Sequence, residues 1–292
     1  MGRASAQEIE RILAKVETVP TLPHLVSKLV QVVTSDASSA RDVAKIISLD
    51  QAFIARILRL VNSAFYGFPS KIATVTHASA ILGFNVIRSL ALSITVFDMF
   101  RGESYGFDRA AFWKHAIGTG VVARALARKV HYREPEEIFI AGLMHDIGKV
   151  IEDKFVHDEF LLVLQTVAEK GCSMREAEDE VLGLDHARVG GKVAEKWNLP
   201  VMLREVVRYH HNPPADLNTL TEDGKVVGLV HMANIVSRVK QFGYGGDPNV
   251  PEPNQVLWEA SGLAENDLRD ILENIDQEFT NASAFIEMSA KG

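Results

Sequence analysis

The sequence predicts an all-α protein that folds as a two-lobed helical bundle. Apolar residues recur every three to four positions along most of the 292 residues, which is the spacing of one face of an α-helix. Strand-like alternation is absent from the first lobe, and its predicted helices follow one another through short loops. A chain of this length can bury a substantial core in one large or two medium domains.

The first lobe is predicted to cover residues 1–105. Pro20 and Pro23 end its first helix and begin the second, and Asp50 is the predicted N-cap of a later one. The helices expected here span about residues 6–18, 24–33, 40–47 and 51–65, followed by two more on either side of Gly83.

The turn Asn62–Gly67 (NSAFYG) places polar residues beside two aromatic rings. Together with the segment ILGFNVIRSL (81–90) it offers a candidate binding groove. We favour the structural interpretation, in which the turn caps the preceding helix and its aromatic side chains pack into the core.

The second lobe is predicted to cover residues 106–245, after a polar hinge at Phe100–Asp108. Its helices are expected at about 107–130, 134–149, 155–170, 173–181, 186–199, 201–214 and 226–242. A C-terminal extension, residues 246–292, follows with one or two peripheral helices over 255–275. From about Asn281 onward we expect poor order, as is usual at a chain end.

Composition excludes several functions. The net charge is −7, so direct DNA binding is not expected. Cys172 is the single cysteine, which excludes an intrachain disulfide and a zinc finger. No apolar run approaches the roughly 18 residues that a membrane span requires, so we expect no membrane association and a cytoplasmic location.

The segment AGLMHDIGK (141–149) places His145 and Asp146 side by side in a predicted apolar helix. Burying such groups without partners costs roughly 1–3 kcal/mol each. A divalent metal makes the burial tolerable, because imidazole nitrogen and carboxylate oxygen are both metal ligands. The segment therefore predicts a metal site.

Further histidines follow the same pattern. His115 lies in the apolar stripe of its helix, His186 follows a predicted N-cap at Asp185, and His210 and His211 end another helix. Taken singly, each is more simply explained as a satisfied core histidine. Adjacent residues of a regular helix point in different directions, however, so each of the pairs 145/146 and 210/211 can bridge two metal positions. In a bundle, such side chains can converge from facing helices.

Three segments in order, VPTLPHL (19–25), IISLDQAFIARILRLVNSAFYG (46–67) and IATVTHASAILGFNVIRSLAL (72–92), resemble the HDOD family of bacterial signalling domains. The resemblance runs from about Ile9 to about Arg238. It implies an N-terminal HDOD lobe joined to an HD-domain-like helical lobe.

The order H…HD…H…HH resembles the HD superfamily of metal-dependent phosphohydrolases, and most closely its HD-GYP branch. HDOD domains commonly lack those metal ligands, whereas this chain retains them. The resemblance implies one or two divalent ions, iron or manganese first and nickel or zinc as alternatives. It also implies a bridging and catalytic role for Asp146 and a contact between Lys149 and substrate phosphate. The implied metal ligands are His115, His145, Asp146, His186, His210, His211 and, at the last ligand position, Asn234.

The chain departs from the enzyme pattern at three places. Asn234 replaces the last aspartate ligand, and Ala111 stands where three-metal members carry a glutamate. After the His pair the chain reads NPPADL (212–217), without the DGxGYP segment; the GYGG at 243–246 comes too late and lacks the proline. In an active enzyme, Lys149 and Arg188 would neutralise transition-state charge.

Two functions therefore stay open. The first is a signal-transduction domain with a structural or sensory metal, whose partner is a signalling protein or a nucleotide or cyclic dinucleotide. The departures at Asn234, Ala111 and the GYP segment favour it. The second is an active phosphohydrolase on a nucleotide or cyclic dinucleotide, which the intact HDIGK, His186 and HH pair favour. In a third, weaker interpretation, no metal binds and hydrogen bonds hold the histidines.

Overall fold

A computed structural model describes residues 6–22, 27–28, 50–100, 102 and 105–290. All regular secondary structure in these residues is helical, which confirms the predicted all-α class. The helices expected near 24–33 and 40–47 lie outside the described residues, apart from positions 27 and 28.

The N-terminal part contributes four described helices: α1 (Ala6–Glu17), α2 (Gln51–Val61), α3 (Val75–Leu82) and α4 (Phe84–Met99). Asp50 caps α2 as predicted, since its side chain accepts a hydrogen bond from the Phe53 amide at 3.0 Å. Gly83 separates α3 from α4 at a φ of 87°, a conformation that favours glycine.

The remaining helices are α5 (Arg109–Lys129), α6 (Pro135–Met144), α7 (Ile147–Phe155), α8 (His157–Lys170), α9 (Met174–Val181), α10 (His186–Lys196), α11 (Val201–Tyr209), α12 (Lys225–Val239), α13 (Gln255–Ser261), α14 (Glu265–Asn281) and α15 (Ser283–Ala290). Two 3₁₀ turns, Leu217–Thr219 and Thr221–Gly224, precede α12. The central element is α5, which packs against α6, α12, α14 and α15.

Helices α5 and α6 cross at very short range because glycines face each other. A Cβ on Gly142 would lie 2.8 Å from the Cα of Gly120, and a Cβ on Gly120 would lie 2.7 Å from the carbonyl oxygen of Phe139. This crossing brings His115 on α5 close to His145, which follows α6 directly.

The single helix predicted over residues 134–149 is wrong. Helix α6 ends at Met144 and α7 begins at Ile147, so His145 and Asp146 lie at a break between two helices. The expected poor order after Asn281 is also wrong, because α15 packs on α4, α5 and α2 and buries Phe285 completely. Phe285 and Met288 of this helix both belong to the buried core.

The turn Asn62–Gly67 has the structural role that we favoured. The Asn62 side chain donates to the carbonyl oxygens of Leu58 (2.7 Å) and Ile72 (2.8 Å) and accepts from the Ile72 amide (2.7 Å). The Phe65 ring lies 5.1 Å from the rings of both Phe139 and Phe285. The turn therefore closes α2 and places an aromatic side chain in the core.

Among the described residues, one cluster of buried apolar side chains extends from Ile12 to Met288 and includes residues from each of the three predicted parts of the chain, 1–105, 106–245 and 246–292. The boundaries at 105/106 and 245/246 stay predictions. Within the residues that the structure describes, no helix combines the length and apolarity that a bilayer span requires.

Candidate metal centre

The break between α6 and α7 turns His145 and Asp146 into the interior. Both side chains are fully buried. His145 Nδ1 lies 2.7 Å from the Gly142 carbonyl oxygen, an acceptor, so the ring donates at Nδ1 and leaves Nε2 free as a ligand atom. Gly148 allows the new helix to pack directly on the backbone of His186, and this contact brings α10 to the site.

The two oxygens of Asp146 face different histidines. Oδ2 lies 3.3 Å from His145 Nε2 and 4.0 Å from His115 Nε2. Oδ1 lies 3.1 Å from His186 Nε2 and 3.3 Å from His210 Nε2. The Asp146 carboxylate thus joins two groups of ligand atoms, which is the arrangement that two neighbouring ions need.

We name these two sets of side chains the first and second ligand groups. The first contains His115, His145 and Asp146, and the second contains Asp146, His186, His210 and His211. Within each group, the potential ligand atoms all lie within 4.8 Å of one another. The structure therefore brings together six of the seven residues that the resemblance implied as ligands.

His210 and His211 do not divide between the two groups, as adjacent residues of a regular helix would. Helix α11 ends at Tyr209, so the two residues leave it with rings only 4.1 Å apart and both enter the second ligand group. His211 Nε2 lies 3.0 Å from His186 Nε2. Only the pair His145 and Asp146 reaches both groups, and it does so through the carboxylate.

The residues fit a divalent ion. Four buried atoms in the cluster have no hydrogen-bond partner: Nε2 of His115, His145 and His210, and Oδ1 of Asp146. Burial lowers the pKa of His115 to about 3 and that of His210 to about 4, so both rings are neutral at physiological pH, the form that binds metal. Imidazole nitrogens with one carboxylate suit iron, manganese, nickel and zinc alike.

Glu178 supports the second ligand group, a role that sequence reasoning missed. Its Oε2 lies 2.7 Å from His186 Nδ1 and accepts from the His186 amide at 2.8 Å. Burial alone would lower the pKa of His186, but Glu178 and Asp146 outweigh it and raise the pKa to about 9, so metal binding at this ring would release a proton. A carboxylate behind a ligand histidine fixes the ring's tautomer and orientation. The available signal was the acidic helix MREAEDEV just before His186.

Lys149 is completely buried and has three acceptors for its three protons. Its Nζ donates to Asp146 Oδ2 (2.8 Å), to the Gly245 carbonyl oxygen (2.8 Å) and to Asp247 Oδ2 (3.2 Å). Burial alone would lower the pKa of the Lys149 ammonium. The negative charges of Asp146 and Asp247 outweigh this effect, so the pKa is raised above its usual value. Its contact with substrate phosphate stays a prediction.

Residues 243–250, which we name the covering loop, lie over the first ligand group. The Tyr244 amide donates to the Ala111 carbonyl oxygen at 3.0 Å. A Cβ on Gly245 would lie 2.8 Å from Cδ2 of His115, and one on Gly243 would lie 2.3 Å from the Ala111 oxygen. The GYGG sequence, which does not match a substrate loop, therefore acts here through its small residues, which allow close packing on α5.

Asn234 and Arg188 occupy different surroundings. Asn234 is buried on α12, and its Oδ1 accepts a hydrogen bond from Arg238 Nε at 3.2 Å. Arg188 is exposed on α10, where its charge acts on the Asp179 carboxyl. Arg238 reaches the covering loop, since its Nη2 donates to Asp247 Oδ2 at 2.7 Å. Metal ligation by Asn234 and substrate binding by Arg188 stay predictions.

Two cavities adjoin the covering loop. One of about 350 Å³ is lined by His115, Arg238 and Tyr244 among others and meets the first ligand group. The other, of about 250 Å³, is lined by Arg175, His211 and Arg238 among others and meets the second. Asp247 lines both, so the covering loop separates the two approaches.

The family model of the HDOD domain matches residues 19–213, about two thirds of the chain. The chain belongs to the HDOD family. Helix α12 and the covering loop lie beyond the matched residues, whereas both ligand groups lie within them.

Solved structures share this HDOD chain's fold. An HDOD domain protein of unknown function from Geobacter sulfurreducens matches with a TM-score of 0.73 at 23% identity, over 97% of this chain and 95% of the other. A protein from Shewanella amazonensis SB2B that bears the provisional name phosphohydrolase matches with a TM-score of 0.70 at 24% identity, over 96% and 97%. A provisionally named signal transduction protein from Marinobacter aquaeolei VT8 matches with a TM-score of 0.75 at 17% identity, over 98% and 66%.

A curated relative of this HDOD chain is an uncharacterized protein of Treponema pallidum (strain Nichols). The two are 24% identical over 269 residues, which cover 92% of this chain and 51% of the relative. The chain therefore spans about half the length of the curated relative that it matches.

We expect Gly148→Ala to destabilise this HDOD chain and weaken its second ligand group. The new Cβ would lie 1.9 Å from the carbonyl oxygen of His186, so α7 and α10 must separate. Overpacking of this kind costs about 1–3 kcal/mol, which denaturant unfolding would measure. Gly191→Ala is the matched control, because its Cβ would meet only the Arg208 side chain, at 3.2 Å. Equal unfolding free energies for the two variants would contradict the close contact at Gly148.

The stability of the metal-free HDOD chain should depend on Asp247 at neutral pH and lose this dependence in acid. Burial alone would raise the pKa of Asp247. The Lys149 and Arg238 cations outweigh this effect and lower the pKa to about 2. Because an unfolded aspartate titrates near pH 4, the carboxylate contributes about 2–3 kcal/mol above that pH. The contribution is lost as the pH falls from about 4 to about 2.

Unfolding free energies of wild type and Asp247→Asn, measured from pH 7 downward, would check this dependence. The difference between the two proteins should shrink as the pH falls. Asp276→Asn is the control, since Asp276 is a largely exposed partner of Lys240 and should show a small difference throughout. A constant difference for Asp247→Asn would contradict the assignment.

Proposed function

We propose that this HDOD chain is a signal-transduction domain that holds divalent metal, one or two ions, between its two ligand groups. Iron or manganese is the first choice. The observation that carries the proposal is the Asp146 carboxylate, whose two oxygens face different histidine pairs while unpartnered Nε2 atoms point at it. Metal coordination would satisfy these atoms, which are otherwise buried without a hydrogen-bond partner at a cost in free energy.

A regulatory role suits the surroundings of the site better than rapid turnover does. The ligand side chains are buried almost completely, with only His211 partly exposed. Lys149 is fully engaged by three acceptors, and the covering loop packs against His115. Asn234 supplies no charge at the position of the last aspartate ligand. A metal so enclosed would act as a structural or sensory element.

We further propose a cytoplasmic location and a signalling protein as partner, with a nucleotide or cyclic dinucleotide as the alternative ligand. The family assignment and the signal transduction neighbour support this direction. Metal bound in the second lobe would then set the conformation that the partner protein recognises.

An active phosphohydrolase is the alternative, and one feature of the site favours it. The cavity of about 250 Å³ beside His211 is lined by two cations, Arg175 and Arg238, which suit a phosphoester. Bound metal would supply an activated water there. In this function the ligand groups hold the ions, and Arg238 and Arg175 bind and orient the phosphate.

Anaerobic purification followed by elemental analysis and assays on a panel of phosphoesters, including cyclic dinucleotides, tests both functions. We expect one to two equivalents of iron or manganese and no turnover. Turnover that His145→Ala abolishes would replace the regulatory proposal with the enzymatic one. A protein that takes up none of iron, manganese, nickel and zinc after reconstitution with their divalent salts would overturn both.

A further inference from the structure

Asp247 of the covering loop lies between two cations that belong to different helices. Its Oδ2 is 3.2 Å from Lys149 Nζ on α7 and 2.7 Å from Arg238 Nη2 on α12. The Lys149 side chain is fully buried, and that of Arg238 is 10% exposed. Two cations held this far from solvent require anions, because unpaired buried charge is strongly unfavourable; Asp146, 2.8 Å from Lys149 Nζ, supplies one and Asp247 the other.

A third donor reaches the same carboxylate. The amide of Met174, the first residue of α9, donates to Asp247 Oδ1 at 2.8 Å. An ammonium, a guanidinium and a helix N-terminal amide therefore converge on one anion. This combination of donors is the one by which proteins bind phosphate-type oxyanions.

Asp247 lies on a loop and not in a helix. The covering loop that carries it contains Gly243, Gly245 and Gly246, and cavities of about 350 and 250 Å³ lie on either side of its carboxylate. Arg238 lines both cavities, so an external anion can approach this cation from either side.

We infer that Lys149, Arg238 and the Met174 amide form an oxyanion site, and that Asp247 occupies it as an internal substitute for a phosphate-type ligand. An external oxyanion competes with Asp247 and displaces the covering loop. The inference concerns the site of the proposed function but requires no bound metal, so metal-free protein tests it separately.

Displacement has a defined consequence for the first ligand group. When Asp247 leaves, the covering loop loses its bonds to Lys149, Arg238 and Met174, and the contact of Gly245 with the His115 ring is no longer held. The oxyanion site thereby couples a phosphate-type ligand to the accessibility of the metal ligands. This coupling is a means by which a ligand can alter the state of the domain.

Phosphate binding to metal-free wild type and Asp247→Asn tests the competition. Asparagine keeps the shape of aspartate and removes its charge, so we expect inorganic phosphate to bind the variant at least about tenfold more tightly. Titration calorimetry at ionic strength matched with sodium chloride would measure the change. Asp276→Asn, at an exposed ion pair with Lys240, is the matched control and should bind like wild type. The double variant Asp247→Asn, Lys149→Met should lose the gain.

Hydrogen exchange on the unmodified protein provides a test that needs no variant. The Tyr244 and Met174 amides are protected by Ala111 and Asp247 when the covering loop is closed. Phosphate, but not chloride, should speed exchange at Tyr244. A parallel titration with a nucleoside monophosphate distinguishes a free phosphate from a nucleotide phosphate as the ligand.

Each outcome decides the inference. Tighter binding by Asp247→Asn together with faster exchange at Tyr244, with either phosphate compound, supports it. If a folded Asp247→Asn binds phosphate no more tightly than wild type, or if exchange at Tyr244 is unchanged at saturating ligand, the inference is overturned. Neither result depends on whether the protein binds metal, so the two proposals fail separately.

Discussion

Replacing Asp146 with asparagine is expected to remove both metal ions at once. Asp146 is the one residue common to both ligand groups, and its two oxygens lie 3.3 Å and 3.1 Å from histidine nitrogens of different groups. Burial alone would raise the pKa of Asp146. The neighbouring His145, Lys149 and His186 outweigh this effect and hold the pKa well below its usual range, so the carboxylate is charged. The neutral amide has the same shape but is a much weaker metal ligand.

Single histidine variants should behave differently. His115→Ala should lower occupancy at the first ligand group, and His186→Ala at the second, each leaving the other group intact. If the wild type holds two ions, its metal content should fall by about one equivalent in each histidine variant and to near zero in Asp146→Asn. The reason is that loss of even a supporting residue costs about 10–100-fold in metal affinity. Elemental analysis of anaerobically purified protein would measure all three.

Asp153→Asn is a matched control for Asp146→Asn. Asp153 is also a buried, charge-paired aspartate, with its Oδ2 2.6 Å from Arg109 Nε, and it lies on α7, which begins just after Asp146. The Asp153→Asn substitution should destabilise the fold and leave the metal content unchanged. If Asp146→Asn kept two equivalents, or if both aspartate variants lost metal equally, the shared carboxylate would not be the centre of the site.

Replacing Phe285 with alanine should have the largest effect on stability. The side chain is fully buried, and its ring lies 5.1 Å from that of Phe65 and 5.0 Å from that of Phe139. These partners belong to the turn after α2 and to α6, so Phe285 joins the C-terminal helix to two separate parts of the core. Truncating a buried phenylalanine costs about 3–5 kcal/mol.

Denaturant unfolding of Phe285→Ala, with Tyr105→Ala as control, would measure this effect. Tyr105 is 84% exposed, and its truncation should change the unfolding free energy by less than about 0.5 kcal/mol. The metal content of folded Phe285→Ala should match wild type, because α15 contributes no side chain to either ligand group. A loss below about 1 kcal/mol would show that α15 is not part of the cooperative fold.

Most helices of this chain are set by residues that lie close together in the sequence. Helical periodicity and caps such as Asp50 depend on residues close in the chain, so the all-α class and most helices could be predicted. The ligand residues could be proposed as well, because a histidine or aspartate in an apolar helix is conspicuous. The helix over 134–149 could not be placed correctly. Its break depends on the contact of Gly148 with His186, some forty positions away.

The supporting groups of the site depend on contacts between distant segments. In the sequence, Glu178 is one of several carboxylates in an acidic segment, and only the packing of α9 places it against His186. In the same way, Asp247 is one of several loop aspartates, and only the position of the covering loop brings it to Lys149. The acidic segment before His186 points to that region but does not single out Glu178, and nothing close to Asp247 in the chain distinguishes it from a solvated carboxylate.

By itself, the sequence determined the helical class and a set of side chains able to bind metal, because both follow from residue type and short-range spacing. Only the tertiary structure decided that Asp146 faces two histidine groups with separate oxygens, and that Asp247 lies between Lys149 and Arg238. The physical reason is that burial and charge pairing act through space. Side chains far apart in the chain acquire their chemistry only when the helices pack and exclude water.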